Sequence, residues 1–250
     1  MPKYFVSPED IDMERSRIPV CGDDALHLIS ALRVRRGDHV TVCDGQCVDY
    51  NCEVDDINNK RLALKILTSS RVREPSLKVT LYQALPKSDK MEYIIQKCVE
   101  MGIFSIVPIY TENAVIGTMS GAKLSRYRKI AEAAAKQSMR GIIPNIAQPM
   151  ALEQSITDSA GHGLVFAPYE NECQTSLRDI LSGHNLNDVG SAAFFIGSEG
   201  GFTNKEAEMF IHADIPRVSL GSRVLRTETA GFAVLTILMY ACGDLDHKRG

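Results

Sequence analysis

Two polar loops carry the residue types that could bind a small ligand and act on it. One covers residues 197–202 (GSEGGF), whose glycines allow the backbone to approach a ligand closely. The other covers residues 222–229 (SRVLRTET) and places two arginines, two threonines and a glutamate before an almost wholly apolar segment. Loops between buried elements are seldom so polar unless a ligand satisfies them. The two loops therefore indicate a ligand pocket, but they do not name the ligand.

The glycine loop does not match the common nucleotide-binding motifs. It lacks the GxGxxG spacing of a dinucleotide-binding turn, and no Gly-Lys-Ser/Thr follows it, as a P-loop requires. A plain strand-to-helix turn is the alternative for residues 197–202 taken alone. The ligand assignment therefore depends more on the denser loop at 222–229.

The elements that must position these loops alternate between strand and helix. Apolar strands are expected at 77–85, 104–109, 164–168, 192–197 and 217–221. Helices are expected at about 89–101, 122–140 and 227–242, and a further one begins at Thr203. Asp89 with Glu92, and Thr203 with Glu206, have the spacing of capping boxes. The alternation predicts an α/β fold with a parallel sheet and helices on both faces. Both polar loops then lie at the carboxyl ends of strands, where such sheets bind ligands.

Residues 1–72 have a different pattern of apolar and turn residues and are expected to form a separate domain. Short apolar runs alternate with turn signals, which is typical of a small β-rich unit, and one helix is expected at about 23–32. A polar stretch ending at Pro75 (TSSRVREP) is the expected linker. We therefore predict domains at residues 1–72 and 73–250.

Composition points to a globular protein outside the membrane. The 250 residues are 44% hydrophobic and 24% charged, which is ordinary for such a protein. No apolar run approaches the ~20 residues that a membrane span needs. The first residues have no apolar core segment of the kind that a signal peptide carries. We expect a cytoplasmic protein with no membrane partner.

The seven cysteines are scattered, and their odd number suits free thiols in a reducing compartment. Cys43, Cys47 and Cys52 lie close enough in sequence to raise the question of a zinc site. However, Asp44-Gly45 is typical of a hairpin turn, which makes these cysteines strand residues, and no CxxC pair is present. We expect no metal site.

The net charge of −3 argues against a nucleic-acid binder, but the bases are concentrated in two runs, at 33–36 and 123–140. Local positive faces attract phosphate even on an acidic protein, because screening confines each field to about 10 Å. A solvated helix surface is the alternative. The candidate RNA contacts from these runs are Arg33, Arg35, Arg36, Arg126 and Lys129.

Three segments resemble one family closely: LPKSDKMEYIIQKCVEMG (85–102), FIGSEGGFTNKE (195–206) and VSLGSRVLRTETA (218–230). The family is that of the RsmE-type 16S rRNA uracil-N(3) methyltransferases, within the SPOUT class. A weaker match, HLISALRVRRGD (27–38), corresponds to the family's N-terminal PUA-like β-barrel. The resemblance implies a parallel-sheet SPOUT domain with a C-terminal trefoil knot, preceded by that barrel. From pattern alone a knot would not be expected, since knots are rare.

The resemblance also implies a cofactor, a substrate and an assembly. The cofactor is S-adenosylmethionine, bound in a bent form largely by backbone groups of the knot. The substrate is 16S rRNA, in the 30S subunit, and the enzyme works as a homodimer whose partner chain completes each active site. Carried over position by position, the adenosine pocket is lined by Gly197, Glu199, Gly200, Leu220, Gly221, Leu225, Thr227 and Thr229.

Chemistry at N(3) of uracil requires stabilisation of a developing anion or removal of a proton. Fixed arginines near the uracil carbonyls would stabilise the anion, and the candidates are Arg226 and Arg140. Glu228 is the candidate proton acceptor, or else it orients Arg226. The alternative is that Arg226 and Glu228 form a structural ion pair.

Three residues depart from the family's usual pattern. Ser198 stands where proline is usual, which keeps the turn but removes a fixed φ. Met139 stands where a small residue, commonly glycine, is usual. Lys3 takes a place often held by arginine, in a segment expected to touch RNA. Two other functions stay open: a non-catalytic RNA-binding or ribosome-assembly factor, and a SPOUT enzyme acting on tRNA or on a ribose 2′-hydroxyl.

Overall fold

The computed structural model describes residues 3–58, 60–114 and 119–246. The chain divides into two compact units. The first comprises Met1–Glu74 with Ala135–Ile143, and the second comprises Pro75–Ala134 with Pro144–Gly250. The boundary at Glu74 lies two residues beyond the predicted one. Sequence patterns missed that residues 135–143, which begin with the last residues of the helix Gly121–Gln137, belong to the first unit.

Five strands form the sheet of the first unit, in the order β1-β3-β4-β5-β2. Their bounds are Lys3–Phe5 (β1), Arg17–Val20 (β2), His39–Cys43 (β3), Val48–Asn58 (β4) and Arg61–Arg71 (β5). β1 and β3 are parallel and the other neighbours are antiparallel. A short 3-10 turn covers Pro8–Asp10. Helix α1 (Gly22–Leu26) continues as a π-helical turn at His27–Ala31, where one regular helix was predicted.

The predicted hairpin joins β3 to β4. The carboxylate of Asp44 accepts the backbone N–H of Gln46 at 2.7 Å and of Val48 at 3.0 Å. Cys43 and Cys52 are buried strand residues, and burial raises the pKa of their thiols to about 12 and about 11. Cys47 lies in the turn itself, with φ of 68°, so its prediction as a strand residue is wrong.

Lys3 is buried within the first unit. Its ammonium donates to the backbone carbonyls of Met139 at 3.1 Å and Arg140 at 3.0 Å, and pairs with Asp49 at 2.8 Å. Only 1% of Lys3 is exposed. The prediction that Lys3 contacts RNA is therefore wrong, because its charge is committed to holding residues 139–140 against β1 and β4.

Arg140 has the same kind of structural role. Its Nε lies 2.8 Å and its Nη2 2.6 Å from Glu74 Oε2, and the Glu74 carboxylate also accepts the N–H of Gly141 at 2.6 Å. The Arg140 side chain is 8% exposed. This geometry corrects the prediction of Arg140 as a catalytic residue, because its guanidinium is occupied by a carboxylate of the same unit.

The sheet of the second unit is parallel, as predicted, with the order β12-β10-β11-β6-β7-β8 and with β9 also paired to β7. Its strands are Lys78–Ala84 (β6), Ser105–Tyr110 (β7), Asn145–Ile146 (β8), Met150–Ala151 (β9), Leu164–Pro168 (β10), Ser191–Ile196 (β11) and Arg217–Val218 (β12). The last strand is shorter than the predicted 217–221.

Helices cover both faces of this sheet. They are Lys90–Glu100 (α2), Gly121–Gln137 (α3), Leu152–Ser159 (α4), Leu177–Ser182 (α5), Leu186–Val189 (α6), Asn204–His212 (α7) and Thr227–Ala241 (α8), followed by a 3-10 turn at Asp244–Asp246. The ring of Tyr82 in β6 stacks on that of Phe195 in β11, with 4.6 Å between the ring centroids. The centroids of Phe195 and Phe210 of α7 are 5.0 Å apart. The adjacent Leu81 points the other way, towards Gly231 of α8. Neighbouring strand residues thus pack against different helices.

One of the two predicted capping boxes forms. Thr203 accepts the N–H of Glu206, whose carboxylate accepts the N–H of Thr203 in return. Asp89 makes no side-chain cap at α2, and Glu92 pairs with Arg126 at 2.7 Å instead, so that prediction is wrong.

Helix α8 is apolar on almost every side, yet one of its faces is exposed. Val234, Leu235, Leu238 and Met239 are fully buried, whereas Ile237 is 42% and Tyr240 68% exposed. Among the described residues, no helix is long and apolar enough to cross a membrane.

Replacing Lys3 tests the buried ion pairs of the first unit. Lys3→Met should lower the free energy of unfolding by about 3–5 kcal/mol, because it leaves Asp49 buried without its cation. Lys65→Met, at an exposed position of β5, is the control and should change it by less than about 0.5 kcal/mol. Urea unfolding of the full chain measures both. Equal stabilities of the two variants would show that the Lys3 pair is not needed.

Candidate functional site

Three loops meet at one edge of the second unit's sheet, because β10, β11 and β12 are parallel and end there. They follow Pro168, Ile196 and Val218. With the first turn of α8 they line a cleft of about 750 Å³, part of which is open to solvent. The predicted cofactor-binding residues that line this cleft are Gly197, Leu220, Gly221, Leu225 and Thr227.

Thr227, the first residue of α8, joins the ends of two strands beneath the cleft. Its hydroxyl donates to the carbonyl of Gly197 at 2.6 Å and accepts from Gln83 Nε2 at 2.9 Å. Thr227 is 5% exposed and Gln83 is fully buried. The hydroxyl therefore ties the ends of β6 and β11 to the start of α8.

At two positions of the 197–202 loop, neighbouring protein atoms lie too close for any residue larger than glycine. A Cβ at Gly197 would lie 2.9 Å from the carbonyl carbon of Gly201. Gly201 itself has φ of 64°, and a Cβ there would lie 2.9 Å from the Glu170 carboxylate. Glycine is therefore needed at both positions for the loop to pack on itself and against Glu170, and no side chain projects into the cleft from either of them.

Three predicted cofactor-binding residues lie outside the lining of the cleft. Gly200 is exposed, and its carbonyl accepts from Asn113 Nδ2 at 2.9 Å. Thr229 is exposed on the first turn of α8. Glu199 is turned towards α2, where its carboxylate pairs with Lys90 at 2.9 Å.

The pKa of Glu199 reflects this position. Burial disfavours the carboxylate, but hydrogen bonds from the Lys90 ammonium and from the backbone N–H groups of Glu199 and Lys87 outweigh burial and hold the pKa below its usual value. The same bond raises the pKa of Lys90. The pair is therefore ionised at neutral pH.

The two remaining candidates for catalysis flank Thr227. Arg226 is exposed at the N-cap of α8. Glu228 is half-buried and lies 3.6 Å from Lys90. Within the described residues its ion pair is with Lys90 and not with Arg226, so the structural-pair alternative from the sequence is not observed.

The predicted RNA contacts other than Lys3 are all exposed. In the first unit, Arg33 has φ of 52°, and Arg36 lies 3.5 Å from Asp55. In the second, Arg126 is paired with Glu92, and Lys129 is exposed on α3. Exposure leaves these residues accessible to phosphate, and their role stays a prediction.

Sequence reasoning missed the contribution of the loop after β10. Tyr169 and Glu170 line the cleft, as does Ser198. The signal for Tyr169 and Glu170 was available, since they follow a predicted strand in the same way as the two loops that were identified. The Ser198 hydroxyl donates to the carbonyl of Asn113 at 2.8 Å, a contact that depends on the fold.

Comparison with known proteins connects this arrangement to one family. Residues 73–239 match the model of an RNA methyltransferase domain, and residues 20–67 match that of an RNA methyltransferase PUA domain. A ribosomal RNA small subunit methyltransferase E of Synechocystis is 33% identical over 231 residues, covering 91% of this chain and 74% of the relative. The chain belongs to the small subunit methyltransferase E family of RNA methyltransferases.

The family resemblance extends over both units. The methyltransferase E of Bacillus subtilis is 27% identical over 247 residues, covering 96% of each chain. The crystal structure of a methyltransferase E from Neisseria gonorrhoeae, bound to S-adenosyl methionine, has a TM-score of 0.85 to this chain, with 26% identity and coverage of 96% and 97%. The family and the fold class implied by the sequence resemblance, a methyltransferase sheet preceded by a PUA-like domain, are confirmed.

The role of Thr227 can be tested by removing its hydroxyl. Thr227→Val should lower the free energy of unfolding by about 1–3 kcal/mol, because the Gly197 carbonyl loses its bond from the hydroxyl and the buried Gln83 amide loses one of its two bonds. Thr229→Val makes the same change at an exposed position of the same helix turn and should cost less than about 0.5 kcal/mol. Urea denaturation compares the two variants, and equal losses would refute the proposed link.

Proposed function

We propose that this chain transfers the methyl group of S-adenosylmethionine to N(3) of a specific uridine in 16S rRNA. The observation that carries the proposal is the match of nearly the whole chain, with both domains in order, to ribosomal RNA small subunit methyltransferase E proteins. The cleft lies within the residues matched by the methyltransferase domain. It is formed in large part by the two loops whose residue types indicated a ligand pocket.

The cleft fits a cofactor that is held largely by peptide groups. Its wall at Gly197 and Gly201 is bare backbone, and Gly221, with φ of 104°, continues that wall from the loop after β12. Together with Leu220, Leu225 and Thr227, these residues would hold S-adenosylmethionine. When bound, the cofactor supplies a methyl group that is already activated by its positively charged sulfur.

Arg226 and Glu228 are the residues proposed to act on the uracil. Both lie at the start of α8, beside the cleft-lining Thr227. The exposed guanidinium of Arg226, assisted by the positive end of the helix dipole, would stabilise negative charge developing on the uracil carbonyls. Glu228 would accept the N(3) proton. Among the described residues, Arg226 and Glu228 do not form an ion pair with each other.

Basic side chains in each unit are the proposed RNA contacts. Arg33, Arg35 and Arg36 of the first unit and Arg126 and Lys129 of the second are exposed and can neutralise phosphates. We further propose that the substrate is the assembled 30S subunit, in keeping with the family resemblance.

We also propose a homodimer and a knot. Ile237 and Tyr240 on α8 and Tyr93 on α2, two helices that pack together, expose large apolar side chains that a second copy of the chain would cover. The resemblance implies in addition that the last strand and helix are threaded through a loop, as in other SPOUT proteins.

Nucleoside mass spectrometry of 16S rRNA tests the substrate and the methylated position. RNA from a strain that lacks this protein should contain no 3-methyluridine at the target site, and purified protein with S-adenosylmethionine should restore it on 30S subunits. Persistence of 3-methyluridine in that strain would refute the proposal. A methyl group found in tRNA, or on a ribose 2′-hydroxyl, would identify a different SPOUT activity.

Thermal unfolding with and without ligand separates an enzyme from a non-catalytic RNA-binding factor. S-adenosylmethionine at about 100 times its Kd should add about 2.7 kcal/mol of stability, because it binds only the folded state. NAD and ATP serve as controls and should add none. No stabilisation by S-adenosylmethionine would favour the non-catalytic alternative.

Substitution of Arg226 tests its role in turnover. Arg226→Ala should lower kcat by about 10²–10³, the usual cost of removing a group that stabilises a developing anion. Binding of S-adenosylmethionine and the unfolding midpoint should be unchanged, since the side chain is exposed. Arg178→Ala, at an exposed position of α5, is the control. A wild-type rate for Arg226→Ala would remove this residue from the chemistry.

A further inference from the structure

Lys90 lies between two carboxylates that come from the two loops beside the cleft. Its ammonium is 2.9 Å from Glu199 Oε1 and 3.6 Å from Glu228 Oε2. Lys90 belongs to α2, Glu199 to the loop after β11, and Glu228 to the start of α8. One cation thus joins three elements at the edge of the sheet where the proposed chemistry takes place.

Glu199 fixes the position of this cation. Both of its oxygens accept the backbone N–H of Lys87 at 3.2 Å, and one of them pairs with Lys90. The carboxylate is therefore anchored by the chain that leads into α2 and is not free to rotate away. Lys90, bound to an anchored partner, is in turn held close to Glu228.

Glu228 has few other groups to balance its charge. Its Oε2 is buried and accepts no hydrogen bond in the part of the chain that the structure describes. The charged groups facing it are Lys90 from α2 and, beyond Lys90, Glu199 from the loop after β11. Arg226, at the N-cap of its own helix, is exposed and makes no ion pair with Glu228 among the described residues. At 3.6 Å, the Lys90 ammonium is the cation placed to stabilise the charge of this half-buried carboxylate.

We propose that Lys90 is a positioning residue that keeps the Glu228 carboxylate ionised and in place as the proton acceptor for uracil N(3). This inference rests on the proposed methyl transfer to N(3). The proton moves from N(3) to a Glu228 oxygen, so that an N–H bond breaks and an O–H bond forms. The electron pair stays on N(3), which is then the nucleophile for a methyl group that would leave its sulfur as the N–C bond forms. Lys90 itself touches neither the uracil nor the proton.

The pH dependence of kcat distinguishes this role from a merely structural one. In Lys90→Met, Glu199 and Glu228 are left without a cation between them, and the ionisation of each opposes that of the other. Glu228 then holds its own proton at a pH where the wild-type residue accepts one. The acidic limb of the plot of kcat against pH should shift to higher pH by about one unit. On that limb kcat should be roughly tenfold lower than in the wild type, and at higher pH the two should be equal.

The chain offers a matched control and two rescues. Lys97, on the same helix, is exposed to nearly the same extent (33% against 34%) and pairs with Glu100 at 2.9 Å, so Lys97→Met should leave the profile unchanged. Lys90→Arg retains the cation and should restore most of the wild-type profile. Glu199→Gln in the Lys90→Met background removes the opposing carboxylate and should also move the limb back.

A measurement without substrate or cofactor checks the electrostatics directly. Carboxyl carbon NMR of the cofactor-free protein should show a higher pKa for Glu199 in Lys90→Met than in the wild type, because the hydrogen bond that lowers it is lost. The Glu199 signal is assigned with Glu199→Gln.

Several outcomes would overturn the inference. A profile of Lys90→Met that falls equally at every pH, or one that matches the wild type, would contradict it, as would a wild-type rate for Glu228→Gln. An unchanged pKa of Glu199 in Lys90→Met would also contradict it, and this measurement does not require turnover. Failure of the proposed function is a separate result, since it would appear as an absence of 3-methyluridine made by the wild-type protein.

Discussion

The site depends on the hydroxyl of Thr227. It is the point at which β6, β11 and α8 are bonded together, since the one oxygen donates to the Gly197 carbonyl and accepts from Gln83. Gln83 is fully buried and Thr227 is 5% exposed, so a hydroxyl at position 227 is needed to satisfy the Gln83 amide. The start of α8 is consequently fixed at the carboxyl edge of the sheet. Arg226 and Glu228, on either side of Thr227, are placed beside the cleft by the same contact.

A second constraint is that some charged side chains form buried ion pairs that stabilise the fold. From the sequence, Lys3 and Arg140 were expected to contact the RNA substrate. In the structure both are buried and paired with carboxylates of the first unit. Removal of one partner from such a pair leaves an uncompensated charge, so the pairs specify how residues 135–143 fold against the first unit's sheet. Net charge and local runs of bases carry no information on this distinction, because burial and partner are properties of the folded chain.

The sequence predicted the parallel sheet and the edge that holds the cleft, since both follow from local apolar patterns and from strand polarity. It did not predict which side chains face the cleft. Thr227 and Thr229 are two residues apart on a helix, which turns them about 200° from each other, so only one of them can point inward. That argument was available from the sequence. The orientation of Glu199 was not, because it depends on Lys87 and Lys90, more than a hundred residues away.

Ser198 shows how the loop tolerates a departure from the family's usual proline. Proline would fix φ through its ring, whereas Ser198 is 6% exposed and donates its hydroxyl hydrogen to the Asn113 carbonyl at 2.8 Å. Asn113 returns a bond from its amide to Gly200 at 2.9 Å, so the loop is held at two points by one residue of the neighbouring connection. Fixed backbone geometry is thereby replaced by a pair of hydrogen bonds. The cleft needs an immobile loop, and either device supplies one.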